Sequence, residues 1–203
     1  MARWEPDTGD RLRRAAMDLY LERGFESVSV AEITERAGLT RRTFFRHFAD
    51  KREVLFAGAE QLPIALAAAA RVAHPDLPPL DVALGALRTV GIAVVERVEH
   101  EHSRARREVI RSSPELQERE RTKLAASTSA LAEAMHERGV GHDTGAFVSR
   151  IAVAVFETAF ARWVDGDDPA GFTDHFDHAV SELAAHSSRL EPIPKAAPTG
   201  HGS

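Results

Sequence analysis

Apolar residues recur at helical spacing along nearly the whole chain. Between Asp10 and Glu22 the positions Leu12, Ala15, Ala16 and Leu19 fall on one stripe. Arg23-Gly24 ends it with a residue that tolerates the left-handed C-terminal turn. Ser29 followed by Glu32 is a capping box, so a short helix begins there with Val30, Ile33 and Ala37 inward, and Gly38 ends it. Thr40 caps a second short helix that buries Phe44 and Phe48, and Asp50 caps a third beginning at Lys51. Two short helices joined by a tight glycine-containing turn are the arrangement of a helix-turn-helix.

The pattern continues as helix. It predicts one from Lys51 to about Val72 with Pro63 as a point of bending, then a break at "HPDLPP". A helix over Leu80–Val98 and a shorter one over Arg104–Ser112 follow. Ser113-Pro114 then supplies the cap and first-turn proline of a helix reaching about Arg138. Gly139 and Gly141 break it, and two further helices cover Asp143–Val164 and Phe172–His186, separated by "DGDDPAG". The expected fold is all-α with about nine helices, without internal repeats and without alternation long enough for a strand. Residues 1–56 form the expected helix-turn-helix domain and 57–187 a helical regulatory and dimerisation domain. Residues 188–203, rich in proline and glycine, read as a disordered tail.

Composition narrows the class. The 203 residues are 43% hydrophobic and 28% charged, the balance of a soluble globular chain. With no cysteine, disulfides, thiolate metal sites and cysteine nucleophiles are excluded. The opening "MARWEPDTGD" has charges where a secretion signal has an apolar run, and the longest apolar stretch, Leu62–Ala70, is interrupted by Pro63; the chain reads as cytoplasmic. Charge is uneven. Residues 1–56 carry a net +1 and the remainder −6, yet Arg41–Arg52 holds five cations against one acid. That is a local basic patch on an acidic protein, the signature of an anion-binding face or, more plainly, of a solvated helix.

Geometry separates these readings. With Phe44 and Phe48 inward, Arg42 and Arg46 project from the opposite face about one turn apart, flanked by Thr43 and Phe45. An outward Phe beside arginines suits a major groove, where Arg pairs with guanine and a ring can touch a thymine methyl. Partial burial of Phe45 against a neighbouring helix is the alternative. His47, Lys51 and Arg52 fit phosphates at the rim.

The stretch from Arg14 to Gly58, with "ERGFESVSV", "ITERAGLTRRTFFRHF" and "DK", resembles the N-terminal DNA-binding domain of the TetR family of bacterial transcriptional regulators. The resemblance implies base and phosphate contacts from the Thr40–Arg46 face, with Arg41, Arg42, Thr43, Arg46, His47 and Lys51. Phe45 stands where the family often has Tyr, so a hydroxyl that could bind phosphate is missing. The resemblance further implies a homodimer, a double-stranded DNA operator and a small, largely apolar effector, with no cofactor and no membrane partner. "SRARREVIRSSPELQERERTKL" faintly resembles C-terminal domains of actinobacterial TetR-like regulators thought to sense acyl-CoA-like molecules.

In the C-terminal half, Phe147, Ile151, Val155, Phe156, Phe160 and Trp163 make a helix apolar over more than half its circumference. Phe156, Phe160, Phe176 and Val180 are therefore candidate dimer contacts, a helix buried within one chain being the alternative. A pocket between helices would take Met135, Phe156 and Trp163 as walls, with Arg104, Arg107 and Arg111 at its entrance unless these are simply solvated. "EHEH" at 99–102 and the Asp174, His175, His178 group have the spacing of metal ligands, but such groups are more often solvated faces; no metal site is assigned. No phosphate loop, G-x-S-x-G or H-E-x-x-H occurs, so no catalytic residue is assigned. The expected function is a dimeric, ligand-released repressor. The competing classes are a helical enzyme or small-molecule-binding protein with a structural helix-turn-helix, and a DNA-binding protein without effector.

Overall fold

The capping box written at Ser29 closes in both directions. Ser29 Oγ accepts the Glu32 N–H at 3.3 Å, and the Glu32 carboxylate accepts the Ser29 N–H at 2.8 Å. Local signals of this kind start the short helices α2 and α3 in the computed structural model, which describes residues 8–98, 100–166 and 171–189. Among these the chain is all-α: α1 (Thr8–Arg23), α2 (Val30–Arg36), α3 (Arg41–His47), α4 (Gln61–Val72), α5 (Pro79–Val95), α6 (His100–Arg111), α7 (Pro114–Glu137), α8 (His142–Asp165) and α9 (Phe172–Ser187). The expected tail from 190 onward and the centre of "DGDDPAG", 167–170, lie outside the described residues.

One expected helix does not form as read. Asp50 does cap, accepting the N–H groups of Arg52 at 2.8 Å and Glu53 at 3.2 Å, but only one 3-10 turn, Glu53–Phe56, follows. The chain turns again before α4, so Pro63 lies in the first turn of α4, where its missing N–H leaves no bond unmade, and bends nothing. Ser113 also departs from expectation: it makes no side-chain cap on α7, and its hydroxyl instead donates to Glu26 at 2.9 Å, 87 residues away.

Buried side chains form two clusters. The first joins α1, α2, α3 and the 3-10 turn through residues such as Leu12, Tyr20, Phe25, Ile33, Phe44 and Phe56, and takes in Val109 and Ile110 of α6 and Leu116 of α7. Ile110 and Leu116 are only 1% and 0% exposed there. The α6–α7 corner is thus part of the N-terminal core. Around it, polar groups lock the 3-10 turn: Arg106 Nε donates to the Leu55 carbonyl at 2.7 Å, while Glu53 accepts from Arg119 at 2.6 Å and Lys123 at 3.1 Å. Arg106 also lies over the Phe56 ring, and burial lowers its guanidinium below the ordinary range, partly offset by Glu120.

The second cluster fills the bundle of α4, α5, α7, α8 and α9. By length and composition α8 would suffice for a membrane span, but Ala152, Val153, Val155 and Ala159 are buried within the bundle. At one end, rings of Phe156, Phe160, Trp163, Phe172 and Phe176 touch in succession at centroid distances between 5.5 and 6.4 Å. Gly91 on α5 admits them, since a Cβ there would fall 2.6 Å from the Phe172 ring. Phe176, expected at a dimer contact, is buried inside its own chain at 1% exposure, because α9 rolls its stripe toward α8 and α5.

Because Ile110 completes the first core, Ile110→Ala should unfold the N-terminal helices although it lies on α6. We expect a loss of about 2–5 kcal/mol by denaturant titration. A loss below about 0.5 kcal/mol would show the corner to be dispensable.

Candidate nucleic-acid interface

The turn that presents α3 is built from α1 and α2. Gly38 takes φ +64°, and the Leu39 N–H returns to the Thr34 carbonyl at 2.8 Å. Arg11 of α1 pins the same corner by donating to the Ala37 carbonyl at 2.7 Å; a Cβ on Gly38 would sit 3.4 Å from that guanidinium. Thr40 Oγ1 then accepts the Thr43 N–H at 3.1 Å and starts the helix. Its inner face is fixed by Phe44, fully buried, and Phe48. Neither Arg11 nor the Arg36–Glu22 pair, whose nitrogens and oxygens meet at 2.8 Å, carries a local sequence signal, since their partners lie 26 and 14 residues away.

The outer face is free. Phe45 is 54% exposed, its ring held against Phe44 in a T-shaped contact at 5.4 Å. Arg42, Thr43, Phe45 and Arg46 line a shallow hollow of ≈ 430 Å³. Arg41, Arg42 and Arg46 form no ion pair or hydrogen bond among the described residues, and α3 itself contains no acid. His47 is exposed at the end of α3 beside the Phe48 ring. Two acids of α1 and α2 are engaged with partners outside α3: Arg36 holds the Glu22 carboxyl below the usual range, and Ser29, then Arg23, hold Glu32 at about 2. A carboxyl so lowered adds stability above its ordinary value near 4.5 and loses that contribution as pH falls toward 2. The helix-turn-helix therefore keeps its internal pairs while its outer cations stay uncompensated.

Two expected rim cations are engaged within the chain. The Lys51 ammonium donates to the carbonyls of Phe25 and Val28, both at 2.9 Å, and of Glu26 at 3.3 Å, and lies 4.3 Å over the Phe25 ring. Its own carbonyl accepts the Tyr20 hydroxyl at 2.7 Å, and burial pushes that phenol well above its usual range. Lys51 thus satisfies the loop after α1 instead of facing outward. Arg52 is held by Asp50 and by Glu115 at 2.7 Å.

The expected pocket residues are divided. Trp163 and Phe156 meet in the aromatic cluster, where His100 Nε2 lies 2.8 Å from the Trp163 carbonyl. Met135 does not join them. It is buried beside Gly145 in the first turn of α8, whereas Trp163 is in the last, roughly 27 Å along the helix. Arg107 and Arg111 both pair with Asp165, at 3.3 and 2.8 Å, and Arg104 is exposed on the same helix. His178 faces Glu182 at 3.3 Å, and Glu99 lies outside the described residues. Among the described residues no three His, Asp or Glu side chains converge on a metal position.

Comparison with known proteins gives two separate family matches. Residues 12–57 match bacterial regulatory proteins of the tetR family, and residues 77–188 match the MftR C-terminal domain. TcmR, an HTH-type transcriptional regulator of Streptomyces glaucescens, is 40% identical over 83 residues, 41% of this chain and 37% of TcmR. The chain thus spans little more than a third of that relative. MftR of Mycobacterium tuberculosis, a regulator assigned to mycofactocin biosynthesis, is 27% identical over 191 residues, 90% of this chain and 92% of MftR. Among solved structures, FadR of Bacillus subtilis in complex with stearoyl-CoA shares the fold, with TM-score 0.58 and 14% identity over 86% of this chain and 96% of that one.

Since Lys51 bonds three carbonyls, Lys51→Met should lower stability by about 1–3 kcal/mol in denaturant unfolding. The salt dependence of DNA binding by the folded variant should stay unchanged. An unaltered unfolding midpoint with a salt slope lower by about one would return Lys51 to the phosphates.

Proposed function

Since the chain belongs to the TetR family of bacterial regulatory proteins, we propose that it is a homodimeric repressor that binds a palindromic operator through α3 and leaves it when a small molecule enters the C-terminal bundle. Residues 1–56 act as the DNA-binding unit and 57–187 as the regulatory one. The observation that carries the reading is the outer face of α3: three uncompensated arginines around an exposed Phe on a helix whose inner face is locked into a core. A helix-turn-helix kept only for structure has no use for such a face. Thr40, Arg41, Arg42, Thr43, Phe45, Arg46 and His47 form the contact surface; Lys51 supports it from behind.

Dimerisation falls to the outer side of α8. Phe147, 63% exposed, continues with the half-buried Ile151 and the exposed Ala154 and Thr158 at spacings of four, three and four residues, a strip of small and apolar side chains that the bundle leaves largely uncovered. Phe160 and Val180, half-buried, border α8 and α9. A C2 pair presents two copies of α3 to half-sites about 34 Å apart.

The ligand response rests on α6. Its first residue, His100, bonds the aromatic cluster, and Val109 and Ile110 near its other end lie in the N-terminal core. An apolar molecule that separates Phe156, Trp163 and Phe172 displaces α6 and, through it, the recognition helices. An acyl chain, as in the FadR complex, has the matching chemistry, and Arg104, Arg107 and Arg111 offer cations for a headgroup if Asp165 yields. A coupling of about 1–3 kcal/mol suffices for a 5- to 150-fold change in operator affinity.

Two experiments test the reading. Arg42→Ala should cost about 1–3 kcal/mol on an operator selected from random duplexes and relax preference at one position per half-site; equal losses on operator and unrelated DNA would refute base reading. Phe147→Glu should sediment as a folded monomer with sharply weaker operator binding, whereas an unchanged dimer would move the interface elsewhere.

A further inference from the structure

We infer that Phe45 reads the 5-methyl group of a thymine stacked beside a guanine that Arg42 or Arg46 contacts. This rests on the proposed docking of α3 in the major groove and goes beyond it by fixing the chemistry of one base. Phe45 is 54% exposed, so over half of its surface is left without a partner in the protein, while an edge contact with the buried Phe44 at 5.4 Å supports the ring from behind. Lacking a hydroxyl, it offers phosphate and base edges no hydrogen bond. The apolar group that the major groove displays is the thymine methyl. Spacing agrees. Phe45 lies about 1.5 Å along the helix axis from Arg46 and about 4.5 Å from Arg42, so methyl and guanine fall on the same or neighbouring base pairs. An α-helix with its side chains is roughly 10–12 Å across, which a major groove about 12 Å wide admits. Arg42, Thr43 and Arg46 border the same hollow as the ring, which places the apolar and the hydrogen-bonding contacts side by side.

The test uses the full-length protein and an operator enriched from random duplexes. Each thymine is replaced singly by deoxyuridine, which removes the methyl and keeps the base pair, and affinity is read by fluorescence anisotropy. Wild-type protein should lose about fourfold at one symmetric position per half-site and roughly fifteenfold when both are replaced. Phe45→Ala should bind thymine and uracil operators alike. At that position 5-methylcytosine should outbind cytosine by a similar factor for the wild type. The inference is overturned if wild-type affinity ignores every thymine methyl, or if Phe45→Ala keeps the full loss. Failure to enrich any operator would instead defeat the DNA-binding reading, and this inference with it.

Discussion

The first core, built on α1, α2, α3 and the 3-10 turn, depends on the α6–α7 corner entering it. A unit of three short helices has too little interior to bury Phe25, Phe44 and Phe56 completely, since surface falls more slowly than volume in small domains. Val109, Ile110 and Leu116 supply the missing wall from more than fifty residues downstream of Phe56. Arg106 accompanies them because the 3-10 turn leaves the Leu55 carbonyl without a helical partner, and its guanidinium satisfies that oxygen. The guanidinium is partly withdrawn from solvent, and Glu120 and the Phe56 ring complete its surroundings.

A rigid α3 follows from this arrangement. With Phe44 fixed inside and the α2–α3 turn pinned by Arg11, the outer side chains need not be held by one another, and their arginines stay available. Lys51 makes the complementary case. Its ammonium donates to three carbonyls after α1, so one cation of the basic patch becomes structure while its neighbours on α3 face outward. Net charge of the segment says nothing of this division; hydrogen bonding decides it.

The same corner joins the two cores mechanically. α6 is twelve residues long, about 18 Å, and is anchored at one end by the Trp163 carbonyl and at the other by the N-terminal core. The aromatic cluster near His100 is packed against Gly91, where even a methyl group would collide with Phe172. A change in that packing can be absorbed only by moving a neighbouring helix, because well-packed interiors deform little. This is why a ligand-driven reading of the bundle has a physical route to α3.

Local chemistry was legible in the sequence. The Ser29–Glu32 box, the Thr40 cap, Phe44 inward against Phe45 outward, and Pro114 opening α7 each depend on neighbours within one turn, and each appears in the structure. Periodicity likewise located the long helices, since an amphipathic stripe encodes its own period. What lay beyond one turn was not legible. Ser113 reads as a cap but bonds Glu26; Phe176 reads as an interface residue but is covered by its own bundle; Met135 and Trp163 read as one pocket, but Met135 of α7 packs beside the first turn of α8 and Trp163 lies in its last. The sequence by itself determined which residues start helices and which face turns inward. Only the tertiary structure decided which inward faces meet and which cations are spent on carbonyls, because those partners are brought together by packing across tens of residues and leave no periodic trace.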